Sequence, residues 1–264
     1  MTKTGPDNIM NDLRESISAQ NLQKTQDLLD DWDSRSPFPS TTGELLPFAV
    51  TNGSVEIISL LLQRNKGPVY FTDAILAALQ HKRDISMFQA FLDGGFDIND
   101  NLGHMGDLLF LSVRHLPVLE WALNHGADPN RSRSGMRTAL DSAVMCGSAD
   151  AVRLLLQHGA RLHNTNALKV AAYYGQTSMI ELLLEAGADV NEVPDYKEML
   201  RAERVDGLGT ALHEAANGGQ REAAVLLLQR GADPNIKDSL GKSALDIARQ
   251  KGHAAVAEVL ERAE

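Results

Sequence analysis

The sequence predicts an all-α solenoid of stacked helix-turn-helix units, and three observations carry that prediction. A glycine recurs at Gly95, Gly126, Gly159, Gly187 and Gly231, with spacings of 31, 33, 28 and 44 residues. An apolar stripe precedes it each time, clearest in LLLQHGARLH, LLLEAGADVN and LLLQRGADPN and weaker in FLDGGFDIN and ALNHGADPN. A second apolar stretch carrying Ala-Ala and then a glycine lies between stripes, as in TALHEAANGGQ. A period near 33 with one shortening and one insertion accounts for all four spacings.

Each element of the unit has a physical reason. Thr210 stands where a hydroxyl caps the free N–H groups of a first short helix. Ala215 and Ala216 are small, so neighbouring helices can approach closely. The stripe AAVLLLQRG has the spacing of one helical face, and Leu226, Leu227 and Leu228 are expected to fill the seam between units. Gly231 falls just past this second helix, where a left-handed backbone costs little only for glycine. A single unit cannot bury its own apolar face, so stacked neighbours must create the core.

These residues resemble the ankyrin repeat, whose pattern runs threonine-proline-leucine-histidine, Ala-Ala, glycine, a leucine run and Gly-Ala-Asp-x-Asn. The best copies are TALHEAANGG at 210–219, TALDSAVMCG at 138–147, NALKVAAYYG at 166–175 and SALDIARQKG at 243–252. Other residues replace the family's proline throughout, and only His213 matches its histidine. The resemblance implies units at about 9–36, 43–66, 71–100, 104–130, 137–163, 166–191, 209–236 and 242–264. The expectation is one ankyrin-repeat domain over 1–264, with 1–8 disordered, 9–36 a divergent N-terminal capping unit, 192–208 an insertion in a turn and 242–264 a C-terminal cap.

Composition narrows the function. The 264 residues carry 35 acids against 25 bases, a net charge of −10. That argues against a general nucleic-acid binder, which needs a basic face to neutralise phosphates. Cys146 is the only cysteine, so no intramolecular disulfide can form and a reducing compartment is expected. The N-terminal MTKTGPDNIM lacks the apolar stretch of a signal peptide, and no run approaches the roughly 20 apolar residues of a membrane span. An intracellular monomer, cytoplasmic or nuclear, with no membrane or nucleic-acid partner is the expectation.

Departures from the repeat point to candidate sites. EVPDYKEMLRAERVDGL between Asn191 and Gly209 replaces a short turn and brings Tyr196 and Met199. It reads either as a tolerated surface loop or as a lip touching a ligand. HNTNALKVAA nearly loses its extended turn. Arg131, Arg133 and Arg137 fall together in PNRSRSGMRTAL, suited to an acidic peptide or phosphate, or simply to solvent.

The resemblance further implies that two positions between Ala-Ala and glycine face the concave side. These are Thr51 and Asn52, Met145 and Cys146, Tyr173 and Tyr174, Asn217 and Gly218, and Gln250 and Lys251, with Gln80, His81, Arg114 and His115 approximate choices in the third and fourth units. Tyrosine and methionine are enriched in interface cores, so the central pairs are the expected partner site. The tyrosines could instead pack beneath the 192–206 insertion.

No HExxH, GxxxxGK[ST] or GxSxG is present, and Cys146 has no identifiable activating base. No catalytic residue, metal or cofactor is expected. The leading reading is a non-enzymatic adaptor that binds a protein or peptide on its concave face. The alternative is a small-molecule pocket or unusual enzyme closed by the 192–206 loop.

Overall fold

The computed structural model describes residues 6–35, 42–52, 54–64, 71–81, 84–103, 106–131, 137–193 and 209–263. Every regular element among them is a helix, and the sixteen helices form eight consecutive pairs. By its packing the chain divides into two compact units, Met1–Leu108 and Leu109–Glu264, where the sequence reading has one domain.

The N-terminal unit holds three pairs: α1 (Pro6–Ser18) with α2 (Leu22–Arg35), α3 (Thr42–Asn52) with α4 (Val55–Arg64), and α5 (Thr72–Gln80) with α6 (Ile85–Asp93). First helices stack on first helices and second on second. Pro6–Asn8, expected to be disordered, are the first turn of α1. Proline suits that position because the N–H it lacks has no partner in a helix anyway. Leu13, Ile17, Leu29, Leu45, Leu46, Ile57 and Leu61 are fully buried. The third pair adds an aromatic cluster, with Phe71 5.3 Å from Phe96 and 6.0 Å edge-on from Phe91.

The C-terminal unit continues with α7 (Leu108–Ser112) and α8 (Leu116–Asn124), α9 (Ala139–Met145) and α10 (Ala149–Gln157), and α11 (Ala167–Tyr173) and α12 (Thr177–Glu185). It ends with α13 (Ala211–Asn217) and α14 (Arg221–Gln229), then α15 (Ala244–Lys251) and α16 (Ala254–Glu261). The first helices α9, α11, α13 and α15 stack in order. Ala215 and Ala216 are fully buried in that stack, as their size predicts. Of the three leucines expected in the seam only Leu227 is fully buried, with Ala223 and Ala224 beside it. Consecutive helical residues lie about 100° apart, so three in a row cannot share one face.

Each recurring glycine ends a second helix. Gly95, Gly126, Gly159, Gly187 and Gly231 all have φ between +85° and +98°. In each case the glycine N–H and the following N–H donate back to two carbonyls of the last turn, as in Gly231 to Leu228 and Ala232 to Leu227. This closes the free carbonyls of the helix end and turns the chain toward the next unit.

In α9 and α13 the joint to the next pair rests on one side chain near the start of the first helix. Asp141 accepts from the Thr138 N–H at 2.8 Å and from the Asn166 N–H of the next pair at 2.8 Å. His213, in the same slot, accepts from the Thr210 N–H at Nδ1 (3.0 Å), so its proton sits on Nε2 and donates to the Lys242 carbonyl of the next pair at 3.2 Å. The two slots therefore make the same joint with opposite hydrogen-bond polarity. In the last described pair Asp246 accepts from the Ser243 N–H at 2.8 Å.

A second joint lies at the turns. Asn130 donates to the Gly159 carbonyl at 2.9 Å and accepts from the Arg161 N–H at 2.7 Å. Asn191 does the same to Gly231 (3.1 Å) and Asp233 (2.8 Å), across the insertion. In the shortened unit His163 occupies the asparagine's place. There Glu192 accepts from the Asn164 N–H at 2.7 Å and meets His163 Nδ1 at 2.6 Å, while Asn164 takes a positive φ of 57°. The carboxylate of the following turn thus replaces the missing clip.

Both buried joint residues tie stability to pH. Burial holds the Asp141 carboxyl above its ordinary value, against the opposing pull of Thr138, Asn166 and Arg137. Its contribution is full below the unfolded value of about 3.9 and is lost as pH rises through the folded value. Burial holds the His213 ring below its ordinary value, so its contribution is present above about 6.5 and is lost as pH falls through the lowered value. In thermal melts between about pH 7 and 4, wild type should gain stability on Asp141→Asn as the solution is acidified. His213→Asn should lose less than wild type over the same range. Parallel profiles for either variant would remove the buried titration. Asn191→Ala frees two backbone groups on exposed residues that water can satisfy, so urea unfolding should report a loss of only about 1–2 kcal/mol.

Candidate functional site

The ends of the stacked first helices bring five of the expected residues into one row. Met145 and Cys146 close α9, Tyr173 and Tyr174 close α11, and Asn217 and Gly218 close α13. The row is tight: a Cβ placed on Gly218 would lie 2.2 Å from the Tyr173 carbonyl oxygen, so only glycine lets these two helix ends touch. The Gln220 amide donates to the Gly218 carbonyl at 3.0 Å, and His253 Nε2 lies 3.2 Å from the Asn217 carbonyl. Asn217 itself donates to Glu214 at 3.2 Å.

Tyr173 and Tyr174 are the exposed aromatic centre of the row, at 40% and 53% exposure. Their rings stand edge to face with centroids 5.1 Å apart. That arrangement suits the ring quadrupoles and limits the freedom either ring would lose on binding.

Two arginines border the row on the other side. Arg137 donates to the Met145 sulfur at 2.8 Å, and Arg114 donates through Nε to the Cys146 sulfur at 3.2 Å. Arg137 thus leaves the turn tip where the sequence placed it and reaches across to the helix ends. Arg131 is exposed, with its N–H on the Asp128 carbonyl. Arg133 lies outside the described residues.

Other expectations fall elsewhere. Thr51 and Asn52 belong to the N-terminal unit. There their side chains donate back to the Pro47 carbonyl at 2.9 Å and the Phe48 carbonyl at 2.8 Å, one turn earlier in α3. Tyr196 and Met199 lie outside the described residues, as does the 194–208 part of the insertion. Its flanks are described: Val193 is 42% exposed, and Glu192 is held by His163 and Asn164.

Lys169 was not singled out by sequence reasoning. It fills the slot of Asp141 and His213 in α11 and is 9% exposed, yet among the described residues it has no hydrogen bond and no ion pair. The register of ALKV against ALDS and ALHE contains the signal, since a lysine stands where the other copies carry a joint residue. Among the described residues no three His, Cys, Asp or Glu side chains gather as metal ligands, and no helix is long and apolar enough to cross a membrane.

Comparison with known proteins agrees with this architecture. Residues 109–193 match a family model described as ankyrin repeats (3 copies), and residues 199–248 match a second, ankyrin repeats (many copies). Together they cover just over half of the chain. An ankyrin repeat-containing protein of Treponema pallidum (strain Nichols) is 38% identical over 112 residues, covering 40% of this chain and 34% of that protein. The E3 ubiquitin-protein ligase hecd-1 of Caenorhabditis elegans is 35% identical over 127 residues, 47% of this chain and 4% of the ligase. The ankyrin repeat and KH domain-containing protein mask-1 of the same organism is 28% identical over 152 residues, 56% of this chain and 5% of that protein. The chain therefore corresponds to a minor part of each relative. On the two family matches the chain belongs to the ankyrin-repeat family.

Proposed function

We propose that this chain is a non-catalytic interaction module that takes a protein or peptide segment across the first-helix ends of its C-terminal unit. Ankyrin repeats generally mediate protein–protein interaction, and the fold alone names no partner. The observation that carries the reading is the exposed, edge-to-face pair Tyr173 and Tyr174, set among the half-buried Met145, Cys146 and Asn217. A solvated helix end would ordinarily carry polar side chains. Two tyrosines there offer large apolar area with few rotatable bonds, the composition of an interface hot spot. Met145 adds an adaptable surface beside them.

The test is a set of peptides selected for binding to the whole chain from a random display library. Their affinities are then measured for wild type and for the double variant Tyr173→Ala, Tyr174→Ala. The variant should weaken binding by about 2–4 kcal/mol in total, with the melting temperature little changed, because both rings are already exposed. Equal affinities for wild type and a folded variant would defeat the reading. A large fall in melting temperature would show that the rings serve internal packing.

A further inference from the structure

We infer that the segment taken by this face is an acidic peptide, selected by Arg114, Arg137 and Lys169; the inference rests on the reading of Tyr173 and Tyr174 as the centre of the row. The chain has 35 acidic residues and a net charge of −10, so its cations have carboxylates in plenty. Among the described residues, none of these three is in an ion pair.

The two arginines lie instead on sulfur, Arg114 on Cys146 and Arg137 on Met145. Neutral sulfur is a weak acceptor, and a guanidinium carries five N–H donors. Most of the donor capacity of both groups is therefore unspent, at an exposed edge of the row. A carboxylate accepting two parallel bonds is the ligand that matches that geometry best. Asp141, whose carboxyl feels the Arg137 charge, is buried and already accepts from Thr138 and Asn166.

Lys169 makes the independent point. It lies one helical turn before Tyr173 on the same face of α11. In the neighbouring pairs this slot holds Asp141 and His213, each bonded within its own pair and to the next. Lys169 has neither bond, and its long stem rather than its ammonium accounts for its burial. A partner carboxylate supplies the missing pair.

An acidic peptide is favoured over nucleic acid by the rest of the chain. A peptide needs only the local cations, whereas an extended polyanion would also meet the field of the net negative charge.

The experiment displays random peptides of about 12 residues against the whole chain and compares the acid content of the selected and starting pools. The tightest selected peptide is then titrated into wild type, Arg114→Ala with Arg137→Ala, Lys169→Met, and Tyr173→Ala with Tyr174→Ala. The selected pool should be enriched in Asp and Glu. The arginine pair variant should bind about tenfold or more weakly, and raising NaCl from roughly 50 to 300 mM should weaken wild type by a similar factor. Lys169→Met should also bind more weakly while melting at the same or a higher temperature, because a similar volume is kept and no internal bond is lost. A purely structural lysine would not separate the two readouts in this way.

A pool without acid enrichment, or affinity indifferent to the arginine and lysine variants, overturns the inference. If the tyrosine variant still loses binding in that case, the face stands and only its charge preference falls. A pool insensitive to the tyrosine variant, or no selected peptide at all, overturns both. Displacement of the peptide by an equal concentration of single-stranded DNA of the same length overturns it in favour of a phosphate ligand.

Discussion

In the C-terminal unit no helix pair can satisfy its own joint. The first helices of its last three pairs are 7 or 8 residues long, and their neighbours, not their own length, supply the stability that such short helices lack. Stacking buries their alanines completely, which brings backbone N–H and carbonyl groups of adjacent pairs into places water reaches poorly. Those groups need partners. Asp141 and His213 provide them at two helix starts, and Asn130, Asn191 and Glu192 add clips at the exposed turns. The rest of the architecture, including the position of the helix ends, follows from that requirement.

The joint is conserved in geometry more than in chemistry along this one chain. Asp141 accepts where His213 donates, yet both hold their own first turn and reach the next pair. Asn130 and Asn191 clip the next turn from both sides, and Glu192 restores a clip where His163 displaces asparagine. The clip made by Asn191 spans the insertion and still meets Gly231 and Asp233. Extra residues in a turn therefore leave the stacking register alone, because the register is set by the joints and not by the length of chain between them.

With the joints made at the starts of the first helices, their ends are left for other work. Side chains there answer neither to the core nor to the joints. Close packing at Gly218 and Tyr173 brings successive ends together, and Arg114 and Arg137 converge on the same strip from separate positions in the sequence. Lys169 connects the two regions, since it occupies a joint slot and sits one turn from the exposed rings.

The amino-acid order alone determined the helix pairs and the glycine turns, because local periodicity and a backbone requirement for positive φ repeat there in register. It also placed Met145, Cys146, Tyr173, Tyr174 and Asn217 at equivalent positions, from which their common row follows once the units stack. Only tertiary structure decided where Arg114 and Arg137 point, that Thr51 and Asn52 turn back on their own helix, and that Lys169 buries its stem in a joint slot without making the joint. The physical reason is that long side chains choose among several acceptors within reach, and which acceptors are free is settled by neighbours distant in sequence. The same holds for Leu227, whose burial over Leu226 and Leu228 depends on which face of its helix meets the next pair.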